Sequence, residues 1–308
     1  MKKIVYITGA AGFIGKNSAK CFSENGWYVV GAGLGEWAGE KFSDWGIQEW
    51  HPGLITAELL SNINKKPDVI LHCAGGSSVG FSVEHPEQDY EMTVGSAKNV
   101  LEFMRAHCPS ARLIFPSSAA VYGQKEDVPI KENDFLDPVS PYGLHKKIAE
   151  ELCEEYSKRY NINVSIGRIF SAYGSGLQKQ LLWDACNKIS DPSDEAIFFG
   201  TGLEKRDWIH VRDIAELFLA LASSKNKFEI VNIGSGVGLT IKDVITKLLA
   251  AFQKNKEIVF NNISKEGDPK FYTANIGKVK NMGWNPKISL EDGIREYAVN
   301  FEKYQKYD

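Results

Sequence analysis

A short apolar run, a glycine-rich turn and a helix-forming stretch follow one another within the first 25 residues. Residues 3–8 predict a buried strand, Gly9, Gly12 and Gly15 form the turn, and residues 14–25 predict a helix. Glycines allow a tight turn and a close approach of a pyrophosphate to the backbone, and the helix N-terminus attracts the anion. A glycine-rich turn alone is a weak signal, but its position between a strand and a helix predicts dinucleotide binding.

The rest of the chain alternates apolar runs with helix-length segments, which is typical of a parallel sheet covered by helices on both faces. We therefore predict an α/β fold with a doubly wound parallel sheet of the Rossmann type. The predicted strands lie near residues 3–8, 28–33, 68–73, 111–117, 163–169 and 229–233. The predicted helices lie near residues 14–25, 55–64, 88–107, 141–160, 211–223, 240–253 and 289–303.

Tyr142 and Lys146 stand four residues apart in the predicted helix near residues 141–160. Residues at this spacing share one helix face, where a lysine cation would lower the pKa of the phenol. Such a phenol serves as a general acid or base for a sugar-type hydroxyl. The same spacing also arises by chance in long helices, so the pair gains weight only beside the glycine turn.

Composition excludes several classes of protein. The 308 residues carry 36 basic and 39 acidic side chains, a net charge of -3, so nucleic acid is not expected as a partner. Five scattered cysteines without C-x-x-C spacing predict reduced thiols in a cytoplasmic protein, with neither a disulfide framework nor a metal site. We see no signal peptide and no apolar stretch long enough to span a membrane.

Taken together, these motifs resemble the extended short-chain dehydrogenases/reductases, the NAD(P)-dependent enzymes that modify nucleotide sugars. The resemblance rests on the glycine turn with Phe13-Ile14, the Tyr-x-x-x-Lys pair, and three further stretches: Ser117–Gly123, Phe170–Gly174 and Arg206–Asp213. It implies a Rossmann domain of residues 1–170 and 207–234. A smaller, interleaved C-terminal substrate lobe would comprise residues 171–206 and 235–308. It also implies a homodimer built on the helices near 88–107 and 141–160.

The resemblance also implies the site residues. Ser118 would complete a catalytic triad with Tyr142 and Lys146, and Ser117 is its local competitor. The cofactor would be bound by Gly9, Gly12, Phe13, Ile14, Gly15, Gly33, Ala74, Tyr142 and Lys146. The nucleotide sugar would be bound by Ser77, Ser78, Ser118, Lys179 and Arg206.

The residues after Ser118 narrow the chemistry. Dehydratases that resemble this chain carry an acidic pair where Ala119 and Ala120 stand, and alanine cannot transfer a proton. Two hydride reactions remain: net reduction of a 4-keto sugar, and inversion at C4 through oxidation and re-reduction. We favour the reductase, acting on a dTDP- or GDP-linked 4-keto-6-deoxyhexose for surface-polysaccharide synthesis, with a 4-epimerase holding NAD as the alternative.

The choice of cofactor depends on the end of the second predicted strand. Relatives that prefer NAD usually end this strand with a carboxylate for the adenosine ribose, whereas this chain has Gly33 there and no acid before Glu36. Without that carboxylate a 2′-phosphate is not repelled, and Lys16 or Lys41 would supply the cation. The expectation is therefore NADP(H), with NAD(H) also allowed.

Two further functional classes compete. Gly76-Ser-Ser78-Val-Gly80 fits the G-x-S-x-G pattern of serine hydrolases, with Ser78 as nucleophile and His210 as base. A nucleophile elbow needs the serine on a sharp strand-to-helix turn, but the strand ends several residues earlier and Pro86 interrupts an immediate helix. A non-catalytic dinucleotide sensor is the third class, and an intact Ser–Tyr–Lys set argues against it.

Overall fold

The computed structural model describes residues 2–35, 37, 40–263 and 269–304, and the chain forms two compact units. The first comprises residues 1–123, 132–169 and 214–233, and the second comprises 124–131, 170–213 and 234–308. The strands are β1 (Ile4–Thr8), β2 (Tyr28–Gly33), β3 (Glu49–Pro52), β4 (Val69–His72), β5 (Arg112–Ser118), β6 (Asn163–Ile169), β7 (Ser171–Tyr173), β8 (Glu195–Phe198), β9 (Lys205–His210), β10 (Phe228–Ile233), β11 (Gly238–Thr240), β12 (Glu257–Phe260) and β13 (Phe271–Tyr272).

The α-helices are α1 (Phe13–Glu24), α2 (Ala57–Ser61), α3 (Val79–Glu84), α4 (Pro86–Tyr90), α5 (Ser96–His107), α6 (Pro141–Tyr160), α7 (Gln180–Ser190), α8 (Val211–Leu221), α9 (Ile241–Ala251), α10 (Gly277–Asn281) and α11 (Leu290–Tyr304). A π-helical segment, Glu91–Gly95, joins α4 to α5. Two 3₁₀ turns occur at Phe42–Trp45 and Ala119–Tyr122. None of the helices in the described part of the chain combines the length and apolarity needed to cross a bilayer.

The first unit is built on a seven-stranded sheet in the order β10-β6-β5-β4-β1-β2-β3. Every neighbouring pair in this sheet is parallel. Its central strands are buried along almost their whole length, as expected for a sheet covered on both faces. The order reverses between β1 and β4, which is where doubly wound sheets bind ligands at the carboxyl ends of their strands. The predicted fold class is confirmed.

The helix that carries Tyr142 and Lys146 has strong local start and stop signals. Ser140 precedes it, and its hydroxyl accepts a hydrogen bond from Gly143 N at 3.2 Å. Pro141 occupies the first helical position, where a missing N–H costs nothing. Asn161 ends the helix in the left-handed conformation, with φ at 60°. These signals fix the register of α6, and therefore the face on which its site residues lie.

The second unit is organised around β9, which pairs with β7, β11 and β13. The buried carboxylate of Asp207 holds this unit together by accepting hydrogen bonds from three backbone groups: Ser235 N, Gly236 N and Ala274 N. Asp213 likewise accepts from Lys287 N and Ile288 N. The aspartates of the Arg206–Asp213 stretch therefore tie together distant parts of one unit. The functional division into a cofactor domain and a substrate lobe stays a prediction.

Some elements differ from the sequence-based expectation. The edge strand β3 was not predicted, since Glu-Trp-His-Pro neither alternates nor forms an apolar run, and its proline fits only at an edge or strand end. The helix predicted near 88–107 is instead α4, the π-helical segment and α5. The prediction that Pro86 prevents a helix directly after Ser78 is wrong, because α3 begins at Val79 and Pro86 starts α4.

Candidate active site

The glycine turn between β1 and α1 is closely packed. Gly9 has a φ of +65°, and its N donates to Ala32 O at 2.7 Å. A Cβ on Gly9 would lie 2.7 Å from Ala74 N, and one on Gly15 would overlap the Gly9 carbonyl oxygen. Larger residues would therefore push the turn away from β4 and α1. Such a turn leaves backbone room for a pyrophosphate, as dinucleotide binding requires.

The start of α1 fits an anion. Gly12 precedes the helix without a side chain that could cap it, and the first turn, from Phe13 to Lys16, contains no acidic residue. Its first N–H groups therefore keep their partial positive charge for a ligand. Gly33, at the end of β2, has a φ of +151°, and a Cβ there would lie 3.2 Å from Gly9 N. The residues present thus fit a dinucleotide, and they include every cofactor glycine predicted from the sequence.

Ser118, Tyr142 and Lys146 come together at the carboxyl end of β5. The Tyr142 phenol lies near the Ser118 side chain, which lowers the pKa of the phenol. The Lys146 ammonium lies 5.8 Å from the Tyr142 ring centroid and donates to Pro116 O at 3.2 Å. Lys146 is only 6% exposed. The structure therefore assembles the predicted group of hydroxyl, phenol and ammonium.

The protonation of this group follows from its burial. Burial raises the pKa of Tyr142, the Ser118 side chain lowers it, and the charge of Asp89 raises it. Burial lowers the pKa of Lys146 to about 8, while Cys73, Asp89 and Glu150 oppose this shift. The prediction that the lysine lowers the phenol pKa is wrong for this structure, because loss of solvation has the largest effect on the pKa of Tyr142 and raises it.

The two serines of β5 point to opposite faces of the sheet. Ser117 is buried, and its hydroxyl donates to Glu150 Oε1. Ser118 is half-buried, and its oxygen accepts from Ala120 N at 3.2 Å and lies near enough to Tyr142 to lower the pKa of the phenol. Alternation along a strand explains this, since adjacent side chains lie on opposite faces. Geometry therefore favours Ser118 over Ser117 as the serine beside the phenol.

A buried ion pair lies on the same helix as Tyr142 and Lys146. Glu150 lies one helical turn after Lys146 and accepts hydrogen bonds from Arg168 Nη2 at 2.7 Å and Arg168 Nε at 3.2 Å. Arg168, on β6, also donates to Tyr122 Oη at 3.1 Å and Glu132 O at 2.9 Å. Through these bonds β5, β6 and α6 share one polar network. Sequence analysis missed it, because its members are scattered along the chain.

The predicted substrate residues fall in different parts of the structure. Ser77 is exposed in the loop after β4, and Ser78 caps α3 by accepting from Phe81 N at 3.1 Å. Lys179 and Arg206 belong to the second unit. Burial lowers the pKa of Lys179, which precedes α7, and Arg206 donates to Lys205 O at 2.9 Å on β9. Their roles in binding substrate stay predictions.

The serine hydrolase alternative lacks the geometry it needs. β4 ends at His72, five residues before the loop reaches Ser78, so Ser78 does not lie on a sharp strand-to-helix turn. Its oxygen already caps α3. Burial also lowers the pKa of His210 to about 4, and His210 belongs to the second unit. The structure therefore offers no support for Ser78 as a nucleophile.

Comparisons with known proteins show which family the chain belongs to and which solved structures it resembles. The sequence profile of the NAD dependent epimerase/dehydratase family matches residues 5–234. The CDP-paratose 2-epimerase of Salmonella typhi is 27% identical over 335 residues, covering 94% of this chain and 96% of that protein. The UDP-glucose 4-epimerase of Thermotoga maritima, solved with UDP-glucose, is 26% identical with a TM-score of 0.88, covering 98% and 99%. The UDP-glucuronic acid 4-epimerase of Bacillus cereus, solved with UDP-glucuronic acid and NAD, is 25% identical with a TM-score of 0.87, covering 98% and 99%.

The parallel sheet, the glycine turn and the Ser–Tyr–Lys group define a nicotinamide-dependent enzyme of the Rossmann type. With the profile match covering most of its length, the chain belongs to the NAD dependent epimerase/dehydratase family. The resemblance to extended short-chain dehydrogenases/reductases is therefore confirmed. Membership makes the protein an NAD-dependent enzyme of a family that acts on nucleotide sugars.

Proposed function

We propose that this protein is a nucleotide-sugar 4-epimerase that retains NAD through its catalytic cycle. The proposal rests on the Ser118–Tyr142–Lys146 group, and on the two alanines, Ala119 and Ala120, that directly follow Ser118 in the chain. This group can move one proton at one hydroxyl, and the two alanines supply no second acid or base for eliminating water. Solved structures similar to this chain include two 4-epimerases bound to UDP-sugars, which supports inversion at C4.

The proposed mechanism uses one proton carrier in both directions. Tyr142 Oη takes the proton of the C4 hydroxyl as the C4 hydride leaves, so that the C4–O bond becomes a ketone. Ser118 would hold the sugar oxygen in line beside Tyr142, and Lys146, whose ammonium lies 5.8 Å from the phenol ring centroid, would place a positive charge next to the reacting group. After the ketone turns its other face, Tyr142 returns the proton to the oxygen. NAD held at the glycine turn and the start of α1 would supply the hydride acceptor and donor, so that no reductant would be consumed.

NAD is favoured over NADP by the state of Lys16, which is one of the two lysines, Lys16 and Lys41, predicted to bind a 2′-phosphate. The Lys16 ammonium pairs with Glu40 Oε2 at 3.2 Å and lies 4.5 Å from the Trp45 ring centroid. A lysine already paired with a carboxylate is less suited to bind a 2′-phosphate. Glu36, the first acid after Gly33, lies outside the described residues. NAD in the solved 4-epimerase from Bacillus cereus supports the same choice.

Net 4-keto reduction with NADPH is the second candidate. The observation in its favour is Gly33 at the end of β2, where no carboxylate would repel a 2′-phosphate. The similar proteins support the 4-epimerase better than this reductase. The predicted dTDP or GDP carrier and a role in surface polysaccharides remain predictions. UDP-linked hexoses and hexuronic acids are the first substrates to test, because similar enzymes were solved with them.

The test begins with the purified full chain. Protein is desalted and denatured, and any released dinucleotide is identified and counted. Native protein is then incubated with UDP-glucose, UDP-glucuronic acid and their C4 epimers, and the products are followed by NMR. We expect about one NAD per chain and interconversion at C4 without added cofactor. In Tyr142→Phe we expect the interconversion to slow by about 10²–10⁴-fold. Protein that purifies without dinucleotide and oxidises NADPH stoichiometrically with a 4-keto sugar would establish the reductase instead.

A further inference from the structure

The buried side chain of Asp89, at the C-terminal end of α4, carries no role in the mechanism above. Asp89 is 0% exposed, and its Oδ2 accepts a hydrogen bond from His145 Nδ1 at 2.6 Å. Since a carboxylate only accepts, His145 must carry its proton on Nδ1. Its other oxygen, Oδ1, has no hydrogen-bond partner among the described residues. Burying a carboxylate with one unmatched oxygen is costly, so a charge nearby has to compensate.

The surroundings of Asp89 point to that charge. Asp89 Oδ1 packs against Gly76, where an added Cβ would overlap it. The preceding Gly75 packs near the Lys146 ammonium, since a Cβ there would lie 3.7 Å from Lys146 Nζ. The two glycines therefore run between the carboxylate and the ammonium. They have no side chains that would keep the two charges farther apart.

Lys146 itself needs a counter-charge. Its ammonium is buried and donates to the neutral Pro116 carbonyl, and it forms no ion pair with any carboxylate of the described residues. Glu150 acts on it from one helical turn away but is already paired with Arg168. Among the residues that the structure describes, the Asp89 carboxylate has the His145 imidazole as its one hydrogen-bond partner. Two carboxylates, Asp89 and Glu150, act on Lys146. Of these, Asp89 is the one that is not already paired with a guanidinium.

We propose that Asp89, which is hydrogen-bonded to His145 of α6, is a positioning residue. Its buried negative charge compensates the Lys146 ammonium and acts electrostatically on the Tyr142 phenol. His145 directly precedes Lys146 and follows Tyr142 by three residues, so the bond to Asp89 locks the helical turn that carries both. Consistent with this placement, the charge of Asp89 raises the pKa of both Tyr142 and Lys146. This proposal deepens the proposed function and rests on it for its catalytic consequence.

The test reads the phenol directly and does not depend on turnover. The full chain is labelled with 3-fluorotyrosine, which brings phenol ionisation into an accessible pH range. The ¹⁹F signal of Tyr142 is assigned by its loss in Tyr142→Phe and followed against pH. Other titratable or charged groups that act on Tyr142 or Lys146 remain in place in every variant: His72, Cys73, Glu150 and Cys153.

Two variants shift the titration in opposite directions. Asp89→Asn keeps the shape and an acceptor for His145 but removes the charge, so the Tyr142 midpoint falls by about half a pH unit or more. His145→Gln keeps the Asp89 charge but removes the imidazole that is hydrogen-bonded to it, so the midpoint of the Tyr142 titration rises. Where the reaction is measurable, the pH–rate profile shifts in the same directions. If Asp89→Asn does not fold, the rise in His145→Gln decides the matter alone.

A matched control separates the effect of the Asp89 charge on the Tyr142 titration from a general loss of stability. Glu229 is a carboxylate of similar burial, 3% exposed, near the start of β10, where it accepts from Ser165 at 2.8 Å. Glu229→Gln lowers the melting temperature but leaves the Tyr142 midpoint unchanged. If Asp89→Asn and His145→Gln also leave the midpoint unchanged, Asp89 is purely structural and the proposal is overturned. Absence of epimerase activity alongside the predicted shifts would refute the proposed function and not this coupling.

Discussion

Replacing Glu150 with alanine should destabilise the first unit more than any exposed substitution on α6. Glu150 and Arg168 are 4% and 2% exposed, and removing the carboxylate leaves the guanidinium charge buried without its ion pair. Breaking a buried pair in this way costs about 3–5 kcal/mol. The lost bond from Ser117 adds about 1 kcal/mol. Together the two losses amount to about 4–6 kcal/mol, with the bonds from Arg168 to Tyr122 and Glu132 left in place.

The neighbouring residue provides the control. The side chain of Glu151 is 64% exposed, and it lies 4.0 Å from Lys147 in an i,i+4 pair. Glu151→Ala removes the same functional group from the same helix and should change stability by about 0.5 kcal/mol or less. Both variants are unfolded in urea and monitored by circular dichroism, with wild-type protein in parallel. Free energies of unfolding that differ by less than about 1 kcal/mol between the two variants would refute the reasoning.

Three further predictions concern the site. Tyr142→Phe should lower kcat by about 10²–10⁴-fold in the epimerase assay, the usual range for a lost general acid or base, and a loss below tenfold would count against its role. Gly9→Ala should abolish NAD retention, because its added Cβ would lie 2.7 Å from Ala74 N; Gly26→Ala, at a φ of +81° with open space around it, should retain NAD. Because the folded-state pKa of Lys146 is lowered to about 8, its burial as a cation costs stability below that pH. The stability of wild type relative to Lys146→Met should therefore rise by about 1–3 kcal/mol in urea unfolding as pH rises from 8 to above 10; a relative stability that falls over this range would contradict the sign.

The elements that sequence analysis predicted correctly have strong local patterns. The apolar runs of β1, β4, β5 and β6 fill the buried sheet, and Ser140 and Pro141 begin α6 with signals that need no tertiary context. The glycine turn is equally local, because strand, turn and helix are contiguous. Family and fold could therefore be predicted from short stretches of sequence.

The parts that could not be predicted depend on residues far apart in the chain. The partners Asp89 and His145 are 56 residues apart, and nothing near either residue announces the other. The pKa of Tyr142 was predicted in the wrong direction because spacing shows the lysine but not the depth of burial. The pairing of Lys16 with Glu40 likewise appears only once the chain is folded. The strands of the second unit are short and partly polar, so their pattern is weak.

The adjacent serines of β5 restrict how this protein can be redesigned. Each hydroxyl serves a different face: one belongs to the ion-pair network and the other to the phenol. Inserting or deleting a single residue within Arg112–Ser118 would exchange the two faces and disable both at once. Loops at the surface tolerate length changes far better. Recombination with related enzymes should therefore place its crossover points outside this strand, so that it is inherited intact.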